Sequence, residues 1–142
     1  MATRDKRRFS GPALALVFCT LVFVSCSEDV TGPSDLQGGE WRLASMETET
    51  GGRFVPEDPN RFTAEFQADG TILVRADCNG CGGSYTMSGD RLTVGPLVCT
   101  LIACPTTRGQ EFAALLEGTT EVDADGSELE IESSDGTLEL TR

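Results

Sequence analysis

Between Glu40 and Thr141 the apolar residues fall at alternate positions in short runs, and turn residues cut each run after a few positions. A period of two places successive side chains on opposite faces of a pleated strand, so this pattern commits the chain to β-structure. Trp41, Leu43 and Ser45 share one strand face, and Phe62, Ala64 and Phe66 share another. Asp69-Gly70 is a tight-turn dipeptide, and Thr71–Ala76 follows it as a strand. Ser84–Met87 and Arg91–Val94 flank Ser88-Gly89-Asp90 as a hairpin. Glu128–Glu132 and Thr137–Leu140 flank Ser134-Asp135-Gly136 as another. Closing this last hairpin on Asp135-Gly136 sets Ile131 opposite Leu140, with the aliphatics on one face. It also sets Glu132 opposite Glu139, a mildly destabilising pair of like charges.

One segment departs from the period of two. Thr107-Arg-Gly-Gln110 fits a capping box, Phe112, Leu115 and Leu116 follow at helical spacing, and Gly118 ends the run. The spacing predicts a short helix at about 108–117 with its apolar stripe on the sheet. Many short strands with one helix define a mainly β fold. The expected architecture is a small antiparallel β-barrel or strongly curled sheet, with the helix covering an opening.

The amino end reads differently. Arg4, Lys6, Arg7 and Arg8 precede an apolar run, Ala13–Val24, and Ser25-Cys26 follows it. That run has 12 residues, against the about 20 that a bilayer-spanning helix needs. A basic head, a short apolar core and a small residue before a cysteine make a bacterial lipoprotein signal. Phe23 stands where an aliphatic residue is usual, and Val24 and Ser25 fit. Residues 1–25 are expected to be cleaved and Cys26 acylated, since two or more acyl chains anchor stably where one does not. Residues 26–39, rich in Gly, Pro, Ser and Asp, read as the lipidated Cys26 and a flexible tether. The domain then occupies 40–142. The expected location is the cell envelope, anchored to the membrane by lipid and facing the periplasm or exterior.

The chain holds 11 basic and 23 acidic residues. Residues 1–25 take four of the basic and one of the acidic, which leaves 7 against 22, a net charge of −15. Such a domain repels phosphate backbones, so nucleic acid is excluded as a partner. It also repels anionic head groups, so Cys26 and not a basic patch must hold the membrane. Past residue 25 no Lys or His remains, which removes Ser-His-Asp, Ser-Lys and Cys-His chemistry within one subunit. Paired carboxylates could hydrolyse a glycoside, but most acids here alternate with aliphatics and face solvent. Trp41 and Tyr85 are too few to line a sugar-stacking groove. Asp123, Asp125 and Glu132 fall near the register of a calcium loop starting at Glu121; a hairpin turn at Asp125-Gly126 is the simpler account. No catalytic residue, metal site or cofactor is expected.

Four cysteines lie within the domain: Cys78, Cys81, Cys99 and Cys104. An exported chain meets oxidising conditions, which favours two disulfides, and sequence alone allows three pairings. The hairpin between them suits nested bridges, Cys81 with Cys99 and Cys78 with Cys104. A four-cysteine zinc ribbon is the second reading, though its second knuckle is wide. A redox-active Cys78-Asn-Gly-Cys81 is the third, and it lacks the helix N-terminus that lowers a thiol's pKa.

Asp77-Cys78-Asn79, Gly83-Ser84-Tyr85, Leu92-Thr-Val94 and Thr100 through Ala103-Cys104 together resemble the core of the META domain, a family that includes the heat-shock HslJ-like lipoproteins. The frame is similar too. Trp41-x-Leu43 opens it, Phe66-x-x-Asp-Gly70 precedes the motif, Glu111-Phe112 follows, and Leu138-Glu-Leu140 closes it. Leu101 and Ile102 stand where Arg and Met are common, and the pair Cys81 and Cys99 is additional. The resemblance implies a small β-rich envelope domain associated with stress tolerance and without established catalysis. The function expected is therefore non-catalytic: binding or structural support in the envelope. The alternative is a lipocalin-like carrier holding a small apolar ligand inside the barrel.

Overall fold

The computed structural model describes residues 31–50 and 52–142. The expected signal, residues 1–25, and the lipidation site Cys26 lie outside the described residues. A single-turn helix α1 (Pro33–Leu36) precedes β1 (Glu40–Thr48) and β2 (Arg53–Phe54). A 3-10 turn at Pro59–Arg61 leads into β3 (Phe62–Phe66), β4 (Thr71–Ala76), β5 (Asn79–Ser88), β6 (Arg91–Val94) and β7 (Val98–Cys99). Helix α2 (Arg108–Leu116) is followed by β8 (Gly118–Asp125), β9 (Glu128–Ser133) and β10 (Gly136–Thr141).

Eight of these strands form a closed up-and-down barrel in the order β1, β3, β4, β5, β6, β8, β9, β10, and every pairing is antiparallel. Closure comes from β1 meeting β10, with Arg42 opposite Thr141 and Thr48 opposite Gly136. β2 and β7 are extra strands beside β1 and β5. Closure removes the sheet edges that would otherwise recruit another chain. The register of β1 on β10 shifts between Leu43 and Ser45, a bulge that leaves Ala44 unpaired and bends the strand.

The alternating pattern fills the barrel as anticipated except at Ser45: the bulge turns it outward, where its hydroxyl donates to the Glu139 carboxylate at 2.7 Å, and Met46 takes the inward place opposite Leu138. Trp41, Leu43, Ile72, Leu92, Ile131 and Leu138 point inward and are fully buried. An eight-stranded barrel is just wide enough for such a set of side chains to occupy. Each large apolar side chain contributes about 1.5–3 kcal/mol on burial, so this inner layer is the main source of stability.

Both ends are plugged. At one end α2 lays Phe112, Ala113, Leu115 and Leu116 on the opening, and Phe112 meets Phe62 edge to face with ring centroids 6.0 Å apart. The helix comes so close to β4 that a Cβ on Gly109 would sit 2.8 Å from the Ala76 carbonyl carbon. At the other end the Trp41 indole N–H donates to the Leu36 carbonyl at 2.8 Å. The Arg142 guanidinium lies 4.3 Å over the Trp41 ring and donates to the Gln37 and Gly126 carbonyls.

Three sequence expectations need correction. The segment 26–39 is not a tether throughout: Thr31 and Leu36 are buried, and the Thr31 hydroxyl accepts from the Ala124 N–H at 3.1 Å. Leu36 supplies the apolar plug for an opening that alternation on the strands cannot close. The capping box at Thr107 does not form; its hydroxyl donates instead to Glu111 at 2.8 Å, and Thr107 makes no side-chain cap bond. The last hairpin closes on Ser134-Asp135, which puts Leu138 opposite Ile131 and Leu140 opposite Leu129. The shift is of two residues, so the inward face is unchanged while Glu139 now faces Glu130. Gly136 permits this register, because a Cβ there would press into the backbone at Glu47 and Thr48.

Candidate functional site

The residues singled out in the sequence divide between the two ends of the barrel. Asp77, Cys78, Asn79, Thr100 and Cys104 meet at the α2 end. Tyr85 lies toward the opposite end, where its hydroxyl donates to the Gln67 carbonyl at 2.7 Å and accepts from Gln37 at 3.0 Å. Gly83 lies between them on β5, where a Cβ would fall 2.9 Å from the Leu97 side chain and 3.2 Å from the Pro96 carbonyl. It is the smallness of Gly83 that lets β6 turn through Gly95-Pro96-Leu97 and resume as β7.

At the α2 end two disulfides tie the loop after β6 to β5. Cys81 and Cys99 face each other across the β5–β7 ladder, with Cα atoms 4.0 Å apart. Cys78 and Cys104 close the outer, nested bridge at a Cα separation of 5.8 Å. In the chain-entropy model each bridge removes about 3 kcal/mol of unfolded-state freedom. All four sulfurs are thereby consumed, so the zinc-ribbon reading has no thiolates to offer and the Cys78–Cys81 redox pair does not form. The calcium reading also falls: Glu121–Glu132 is a plain hairpin with Asp125 opposite Glu128. Among the described residues no cluster of three metal-ligating side chains occurs.

The turn between β4 and β5 is built on Asp77, which adopts a positive φ of 61°. Its carboxylate is buried and paired with the Arg61 guanidinium, and its N–H donates to the Arg61 carbonyl at 2.7 Å. The sequence reading missed Arg61. With only seven basic residues in the domain, a buried Asp has few cations to draw on, and that scarcity was the available signal. Arg108 reaches across the same end to lie 5.1 Å over the Phe54 ring while pairing with Glu111. The Thr107 hydroxyl, then Arg108, hold the Glu111 carboxyl below the ordinary glutamate range.

Asn79 is the organising side chain of the loop. Its amide oxygen accepts from the Thr100 hydroxyl and from the Ile102 N–H, each at 2.8 Å. Its amide nitrogen donates to the Ile102 carbonyl at 3.0 Å and lies 3.2 Å from Cys104 Sγ. Held this way, the loop projects Leu101, 98 % exposed, and Ile102, 59 % exposed. A shallow hollow of about 270 Å³ lies beneath, between Thr100–Ala103 and Gly109, Gln110 and Ala113 of α2.

The outer wall of β8, β9 and β10 is acidic. Asp123, Glu130 and Glu139 stand in one row across three strands, with Glu132 beside them. Partial desolvation, then Glu132, Glu139 and Asp123, push the Glu130 carboxyl above the ordinary glutamate range. Arg53 relieves one side of this wall by pairing with Glu139 and Glu47.

A closed eight-stranded up-and-down barrel, plugged at both ends and braced by disulfides, defines a small domain of lipocalin-like architecture. Residues 34–142 match the META domain family model, and the chain belongs to that family. A protein from Burkholderia xenovorans with an NMR structure is similar, with 19 % identity, 97 % of this chain and 98 % of that one covered, and a TM-score of 0.61. Another protein solved by NMR shares 20 % identity over 78 % of this chain and 94 % of its own, also with a TM-score of 0.61. A lipocalin-like protein from Bacteroides uniformis shares 17 % identity over 76 % of this chain and 98 % of its own, with a TM-score of 0.55. At these identities the likeness is one of fold. Among curated proteins none matches the sequence.

Proposed function

We propose that this protein is a non-catalytic lipoprotein of the cell envelope, held to the membrane through acylated Cys26 and facing the periplasm or exterior. Its META domain gives binding or structural support there, including under envelope stress. The observation that supports this reading best is the doubly plugged, side-chain-filled barrel. The inner layer of Trp41, Leu43, Ile72, Leu92, Ile131 and Leu138 occupies the space that a carrier keeps for its ligand. Four surface hollows, beside Leu129, Thr100, Phe66 and Phe54, are each lined without any of these six. The carrier reading therefore has the lipocalin-like fold on its side and the packing against it. Thr31, five positions after Cys26, lies at the end of the barrel opposite the braced loop. That position of Thr31 suits attachment of the domain to a lipid surface through Cys26.

Intact mass spectrometry of protein isolated from the envelope, with and without reduction, tests the reading directly. The expected species begins at Cys26, carries acyl chains and gains the mass of four hydrogens on reduction. Acyl labelling should vanish in Cys26→Ser. A full-length chain recovered from the cytosol with free thiols would refute the proposal, and stoichiometric uptake of a fluorescent fatty-acid probe would return the carrier to first place.

A further inference from the structure

Asn79-Gly80 is the kind of dipeptide that loses its side-chain amide most readily, because glycine places no side chain in the way of its own backbone nitrogen. Here every atom of that reaction is held. The attacking nitrogen, that of Gly80, donates its hydrogen to the Thr100 hydroxyl at 3.2 Å. The amide nitrogen that would leave is bonded to the Ile102 carbonyl, and the amide oxygen accepts from Thr100 and Ile102. The Gly80 carbonyl accepts from the Thr100 N–H at 3.0 Å, which fixes the two segments side by side. Asn79 and Gly80 are also extended in the β4–β5 ladder, opposite Ala76 and Arg75. Apart from that ladder and the neighbouring Cys78 sulfur, the partners belong to residues 100–104, and the Cys78–Cys104 bridge ties that segment to the strand.

We propose that Asn79-Gly80 is a latent deamidation site for which the Cys78–Cys104 bridge and Thr100 are the lock. A dithiol reductant gives two electrons and two protons to the bridge, becoming a disulfide itself and leaving Cys78 and Cys104 as thiols. Residues 100–104 then release Asn79. The Gly80 nitrogen, losing its proton, bonds to the Asn79 side-chain carbonyl carbon, and ammonia leaves. Water opens the resulting succinimide at either carbonyl, giving aspartate or isoaspartate. The change does not reverse on reoxidation. Aspartate has no N–H for the Ile102 carbonyl and brings a second charge beside Asp77, and isoaspartate adds a backbone carbon that breaks the ladder register. One episode of reduction is thus recorded as a lasting release of the Leu101–Ile102 loop.

Peptide mapping of the purified protein at neutral pH, incubated oxidised and with a dithiol, tests this. The entropy that one bridge of this span removes corresponds to about a hundredfold in an opening equilibrium, and the β4–β5 ladder retains part of it. Reduction should therefore speed amide loss at Asn79 by at least about tenfold. Cys78→Ser/Cys104→Ser should be fast without reductant, and Cys81→Ser/Cys99→Ser should stay slow. Thr100→Val keeps both bridges and removes two of the restraints, so it should be measurably faster than the parent when oxidised, even if the cysteine variants do not fold. Equal rates in oxidised and reduced protein, or no acceleration in Thr100→Val, would overturn the proposal.

Discussion

Thr120 offers a test of how the barrel interior is satisfied. It lies on β8 opposite Leu92, it is 3 % exposed, and its hydroxyl has no hydrogen-bond partner among the described residues. A hydroxyl buried without a partner costs about 1–3 kcal/mol. Valine has nearly the same shape, keeps the β-branch that a strand favours, and replaces the hydroxyl with a methyl group. Thr120→Val should accordingly stabilise the fold by about 1–2 kcal/mol, which raises Tm by about 5–10 °C in a domain of this size. Thermal unfolding followed by circular dichroism measures the shift. Urea titration should show a higher midpoint at an unchanged slope, the sign of a native-state effect. Thr120→Ser is the matching control; it keeps the hydroxyl, loses a buried methyl, and should fall by about 1 kcal/mol. A Thr120→Val protein no more stable than the parent would refute the reasoning. It would mean that the hydroxyl is bonded in the folded protein, as it would be to a buried water.

Gly109→Ala should destabilise despite alanine's better helix propensity of about 1 kcal/mol, because its Cβ would press into the Ala76 carbonyl of β4. Overpacking of this kind costs about 1–3 kcal/mol, so a lower urea midpoint is expected. Glu130→Gln should raise Tm at neutral pH. The folded-state pKa of Glu130 is raised, so the native state holds this proton more tightly than the unfolded chain, and stability falls as pH rises from the ordinary glutamate range through the raised value. The variant's advantage should therefore be present above that window and vanish below it, which parallel melts at neutral and acidic pH would check.

The barrel's inner face was legible because burial on a strand has a period of two that any reader of the sequence can follow. Trp41, Leu43, Ile72 and Leu138 all point where alternation sends them. The hairpin centred on Ser88-Gly89-Asp90 and the nested cysteine pairs were legible for a related reason, since antiparallel pairing makes partner positions sum to a constant along the ladder. Closure was not legible. A curled sheet and a barrel have the same inward residues, and only the meeting of β1 with β10, nearly 100 positions apart, tells them apart. The partners of the motif were hidden for the same reason: nothing local joins Arg61 to Asp77 or Asn79 to Ile102.

The sequence by itself determined the class of structure, the inward set of side chains, the absence of histidine and lysine chemistry beyond residue 25, and the family. These follow from periodicity and residue type, which are properties of short stretches. Only the tertiary structure decided that the sheet closes, that Leu36 and Arg142 plug one end, and that the last hairpin closes on Ser134-Asp135. It also brought Asn79 under a loop more than 20 positions away. Each of those depends on a close approach between distant segments, and a close approach is set by the packing of the whole barrel.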